Sequence, residues 1–206
     1  MLAPTDSIIT KAVLDSAMSY DTYMSLLIDL MAEEKTTGND QSESMVGYRK
    51  MNVQRMKRLN KNIQLQPELL QVLKGFNRKV IFLVITEGWC GDAAQNVPVF
   101  NKLLEYTNEI DLKLILRDEN LKVMDAFLTS GGRSIPKLIA LDSATLELLG
   151  SWGPRPEAAQ FMVTEFKKID NGDYSKFVKE VQLWYARDKT FSMQNELVDL
   201  LKAWNK

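Results

Sequence analysis

Residues 79–106 read KVIFLVITEGWCGDAAQNVPVFNKLLEY, and this stretch decides the fold class. Its first part, VIFLVIT (80–86), is an unbroken apolar run rich in β-branched residues, as expected of a central strand covered on both faces. From Asp92 to Tyr106 the spacing turns helical, with Val97, Phe100, Leu103 and Leu104 on one side. Between them lies a short loop that carries Cys90, the single cysteine of the chain.

Downstream the alternation continues. IDLKLIL (110–116) predicts a second strand and Leu121 to Leu128 a short helix. KLIALD (137–142) and LELLGSW (146–152) predict two strands joined by the tight turn DSAT, and so short a link makes them antiparallel neighbours. Pro156 opens a helix carrying Phe161, Met162, Phe166 and Ile169, which Asn171-Gly172 ends. Two more helical stretches follow, VKEVQLWYARD and QNELVDLLKAW.

Upstream, Pro67 suits the first turn of a helix over PELLQVLKGF, with Gly75 near its end. Residues 5–35 carry helical apolar spacing in two pieces, with Asp6 and Ser19 as N-caps, and TTGNDQSES (36–44) is a loop. Residues 45–62 form a basic amphipathic helix, read as a solvated face with Arg49, Arg55 and Arg58 opposite a packing face. The order is helices, then βαβαββα, then helices. It implies an α/β domain at 67–170, an N-terminal helical extension at 1–66, and a C-terminal extension at 171–206 packed on the same core.

Composition narrows the function. The 206 residues are 45% apolar and 26% charged, with a net charge of -1 and no long run of one sign, so neither nucleic acid nor a membrane is an expected partner. The start has no basic region followed by an apolar stretch, which leads to an expected cytoplasmic location. One cysteine excludes a disulfide within the chain. The absence of histidine excludes Ser/His/Asp and Cys/His nucleophilic systems and His-ligated zinc in their usual forms. No metal or cofactor is expected.

The strand order and the motif EGWCGD closely resemble the thioredoxin family. Trp89-Cys90-Gly91 stands where that family has Trp-Cys-Gly before Pro-Cys, and Pro98 where its active-site helix carries a kinking proline. Ile135-Pro136 matches the position of its cis-proline, and Asp118 and Asn120 match an Asp-x-Asn after its second strand. The chain is further similar to a bacterial subgroup with helical extensions and a Trp-Cys-Gly-Asp motif. The resemblance implies a thioredoxin-like fold with a central mixed sheet of about four strands. It also implies a substrate groove formed by Trp89, Gly91, Ile135 and Pro136, with Arg133 beside it. Three departures matter. Ala93 replaces the second cysteine, and Asp92 the intervening proline; Val84 stands at the position of the family's buried acid.

A thiol at a helix N-terminus faces unpaired N–H groups and the positive end of the helix dipole, which favour its thiolate. Asp92 opposes this unless Arg133 or Arg155 offsets its charge. The loop position predicts that Cys90 lies near the surface. Its implied role is thiol–disulfide exchange of monothiol type, with a protein or low-molecular-weight thiol or disulfide as partner and Asp92 as proton acceptor or donor. The plain reading of Asp92 is a favourable first-turn charge, and that of Arg133 a solvated loop charge. The alternative function is a redox-inactive module that binds a peptide beside Pro136. A cysteine oxidation sensor lacks supporting peroxidase residues, and Trp89 and Asp92 speak against an iron–sulfur site of glutaredoxin type. Ten methionines and the helical extensions fit either a cover for the core or a homodimer.

Overall fold

The computed structural model describes residues 8–169 and 171–206. The expected N-cap Asp6 lies outside these residues. Strands β1 (Val80–Thr86), β2 (Ile110–Leu116), β3 (Lys137–Asp142) and β4 (Leu148–Trp152) form one sheet in the order β2-β1-β3-β4. β1 pairs with β2 in parallel and with β3 antiparallel, and β3 pairs antiparallel with β4. All seven residues of β1 are buried, as its apolar run requires. Leu146 has φ 59, a turn conformation, so β4 begins at Leu148 rather than at 146.

Helices α1 (Lys11–Ser16), α2 (Tyr20–Ala32), α3 (Glu43–Asn62) and α4 (Pro67–Gly75) precede the sheet. Thr10 caps α1 and Ser19 caps α2, each through a side-chain oxygen that accepts a backbone N–H three residues on. Between them Met18 exchanges two 2.8 Å backbone hydrogen bonds with Leu114, which covers part of the outer edge of β2. The buried face of α3 consists of Arg49, Asn52, Val53 and Met56. The expected solvated position of Arg49 is therefore corrected: it is 1% exposed, its stem running against Gly88 in the loop after β1, and burial lowers its pKa.

α5 (Gly91–Leu103) and α6 (Leu121–Ala126) lie between the strands, and α7 (Glu157–Phe166) follows them. α5 ends at Leu103 instead of Tyr106, and α7 at Phe166, ahead of Asn171-Gly172. The last two helices, α8 (Tyr174–Asp188) and α9 (Phe191–Trp204), behave differently from each other. α9 contributes Met193, Leu197, Val198, Leu201 and Trp204 to the main core, with Trp204 edge-on to Phe82 at 5.7 Å. The chain end is tied to the start of β1, because Arg78 donates to the Lys206 carbonyl at 2.7 Å and to Asp142 at 2.9 Å. α8 instead shares a separate small cluster with α7, in which Phe177, Val181 and Tyr185 pack with Met162, Val163, Phe166 and Trp184. Among the described residues no helix is long and apolar enough to cross a membrane.

Candidate functional site

The parallel β1–β2 pair and the antiparallel β1–β3 pair bring two loops together at one end of the sheet: the β1–α5 loop with Trp89 and Cys90, and the segment before β3 with Ile135 and Pro136. Cys90 is the N-cap of α5, and its Sγ accepts the Ala93 N–H at 3.4 Å. The same thiol donates to the Ile135 carbonyl oxygen at 3.2 Å. The Ile135-Pro136 peptide is cis, as the family resemblance implies. In this conformation the Ile135 carbonyl, the group such a groove would offer to an extended peptide, is occupied by the thiol.

Cys90 is 7% exposed, which corrects the expectation of a near-surface thiol. Burial pushes its pKa up to about 12; the Asp92 carboxylate adds to the rise, while the N–H groups of Ala93 and Asp92 and the Arg155 guanidinium oppose it. Desolvation thus outweighs the helix end, and the thiol is neutral at physiological pH. The cation that bears on it is Arg155. Arg133 is engaged elsewhere, in a two-pronged pair with Asp125 at 2.6 and 2.8 Å.

Asp92 sits at the centre of a network. Its Oδ2 accepts from Arg155 Nη2 at 2.6 Å and from Nε at 3.1 Å, and its Oδ1 accepts from the Tyr185 hydroxyl at 2.8 Å. Asn96 donates to the Tyr185 oxygen at 3.1 Å, and Gln95 to Gln182 at 2.8 Å. A Cβ on Gly91 would lie 3.0 Å from Gln182 Nε2 and 3.7 Å from Arg55 Nη1, so α8 and α3 both close on the first turn of α5. A side chain at this position would have to push the Gln182 amide back by a few tenths of an ångström.

Trp89 is partly buried, with the Arg117 guanidinium 4.7 Å from its ring centroid; Arg117 in turn pairs with Asp118 at 2.8 Å. Asn120, just before α6, donates its side-chain amide to the Leu116 carbonyl at 2.9 Å and so ties the loop to the end of β2. Sequence reasoning missed Glu87, which is fully buried three residues before Cys90 and accepts the Asp118 N–H at 2.9 Å; burial raises its pKa. It also missed Tyr185 and Gln182, whose apolar neighbours give them the appearance of an ordinary amphipathic helix. Among the described residues no group of carboxylates and cysteine could hold a metal ion.

Comparisons with known proteins agree with this fold. The family model described as Thioredoxin matches residues 38–167. A crystal structure of an HIV epitope-scaffold is similar at TM-score 0.59 and 17% identity, covering 94% of this chain and 98% of its own. A 1.5 Å crystal structure of a protein of unknown function from Pseudomonas aeruginosa is similar at TM-score 0.62 and 16% identity, covering 94% and 97%. At these identities the two structures speak for the fold alone. No curated protein matches the chain. With its sheet order, its Trp-Cys-Gly helix start and a family match over most of its length, the chain belongs to the thioredoxin family.

Proposed function

We propose that the protein performs thiol–disulfide exchange through Cys90 alone, with a second thiol supplied from outside the chain. The observation that carries this reading is the placement of Sγ: it caps α5 and touches the carbonyl ahead of Pro136, the position from which a sulfur can reach a disulfide held against that backbone. Ala93 in place of a second cysteine removes any internal resolving step.

The exchange balances as follows. The Cys90 thiolate attacks one sulfur of a substrate disulfide, that S–S bond breaks, and the other sulfur leaves as a thiolate that takes up a proton. A low-molecular-weight thiol, as its thiolate, then attacks the substrate sulfur of the mixed disulfide. Cys90 leaves as a thiolate, and the substrate departs disulfide-linked to the external thiol. The protein ends neither oxidised nor reduced. Asp92, joined to Arg155, is the carboxylate on the same helical turn that would exchange the proton with the sulfur.

The neutral, covered thiol favours a second reading, a redox-inactive thioredoxin-like module that binds a peptide beside Pro136. Intact-mass analysis after incubation with oxidised glutathione separates the two. Exchange predicts a single adduct on Cys90 that added reduced thiol removes. Because the resting thiol is covered, the native adduct should accumulate slowly, and only a native chain that still forms none on prolonged incubation, while forming one readily in urea, would support the binding module.

A further inference from the structure

We propose that α8 is a latch: closed, it covers the start of α5 and keeps Cys90 unreactive, and its release through the flanking hinges uncovers the thiol. This rests on the exchange reading only for its purpose; the motion itself is argued from packing.

Three observations carry it. First, α8 is not anchored in the main core. Its apolar residues Phe177, Val181 and Tyr185 pack with α7 in their own cluster, whereas α9, next in sequence, is built into the central core. Lifting α8 from α7 therefore breaks only this small cluster and can occur without unfolding the sheet.

Second, α8 meets α5 through polar contacts. The Tyr185 hydroxyl bridges Asp92 at 2.8 Å and Asn96 at 3.1 Å, and Gln182 accepts from Gln95 at 2.8 Å while lying against Gly91. These groups can exchange their partners for water when the helix lifts, so opening exposes little apolar surface of the main core.

Third, both ends of α8 carry residues in the left-handed backbone region. Asn171 has φ 57 before it, and Lys189 and Thr190 have φ 52 and φ 70 after it. Two consecutive non-glycine residues in that region, one of them β-branched, are held there only by their surroundings. They are natural places for a backbone rotation that frees α8 while α9 stays in place.

Two readouts test the latch: hydrogen exchange of α8 against that of β1, and the alkylation rate of Cys90 by iodoacetamide in native buffer. Tyr185→Phe keeps the ring in its cluster and deletes only the bridging hydroxyl; Gln182→Ala is the second variant. Each is expected to speed α8 exchange and Cys90 alkylation together, by roughly tenfold to a hundredfold for the tyrosine, while β1 exchange is unchanged. Faster α8 exchange with unaltered alkylation would overturn the proposal, as would no change in either, or an equal acceleration in β1. If both rise and the opened variants still form no mixed disulfide with oxidised glutathione, the latch stands and the exchange reading falls.

Discussion

Replacing Arg155 with Met strips Asp92 of two guanidinium hydrogen bonds, at 2.6 and 3.1 Å, and leaves it only the Tyr185 hydroxyl. The two side chains are 16% and 14% exposed, between a surface pair and a buried one. Losing one partner of a fully buried pair costs about 3 to 5 kcal/mol, and an exposed pair contributes roughly 0 to 1. We therefore expect a cost of about 2 to 3 kcal/mol for Arg155→Met. With a urea dependence of about 2 to 3 kcal/mol per molar, the midpoint should fall by roughly 1 M, read by fluorescence of the native tryptophans. Asp92→Asn leaves the guanidinium without its counter-charge and should cost a similar amount. The double variant should cost less than the sum, with a coupling of about 1 to 2 kcal/mol. The thiol supplies an independent readout with opposite signs. The Asp92 carboxylate raises the Cys90 pKa and Arg155 lowers it, so Asp92→Asn should speed alkylation at fixed pH and Arg155→Met should slow it. Additive costs within about 0.3 kcal/mol, or slower alkylation in Asp92→Asn, would refute the network as described.

Three other outcomes are expected. The folded pKa of Cys90 lies above its unfolded value, so the unfolded chain releases this proton first, and stability falls as pH rises from about 9 toward 12. Cys90→Ser should remove that part of the decline in urea titrations at pH 8 and pH 10, whereas the raised pKa of Tyr185 acts in both proteins. Gly153 has φ +113, and a Cβ there would sit 2.3 Å from the Pro136 carbonyl oxygen. Gly153→Ala should cost about 2 to 4 kcal/mol by denaturation and displace the backbone beside Cys90, visible as altered alkylation. Trp204→Ala should cost about 3 to 5 kcal/mol, since the ring is 4% exposed and fixes α9 against Phe82; thermal unfolding would measure it.

The sheet was readable in the sequence because its signals are local. The apolar run 80–86 and the alternation at 110–116 coincide with β1 and β2, residue for residue. The Trp89-Cys90-Gly91 and Ile135-Pro136 pairs likewise marked two loops that the sheet order brings together. What could not be read depends on contacts distant in the chain. Tyr185 meets Asp92 across 93 positions, and its helix shows only ordinary amphipathic spacing. Cys90 is likewise buried within the main core, by residues distant in the chain, so a local argument from the helix dipole gave no sign for its pKa. Arg49 shows a related limit: positions 49, 52, 53 and 56 have the spacing of a buried face, but residue type places an arginine in solvent. Arg133 illustrates the converse, a cation near the groove in sequence whose charge Asp125 already takes.

Cys90 rests as a covered, neutral thiol at the start of α5. The rate of its alkylation by iodoacetamide against pH, in the native protein and in urea, tests this most directly. The native rate at pH 8 should lie well below that of the unfolded chain and still climb at pH 10, in keeping with a pKa pushed up to about 12. A native rate that exceeds the unfolded one, with a plateau at or below about pH 8.5, would show an exposed thiolate at rest and contradict it.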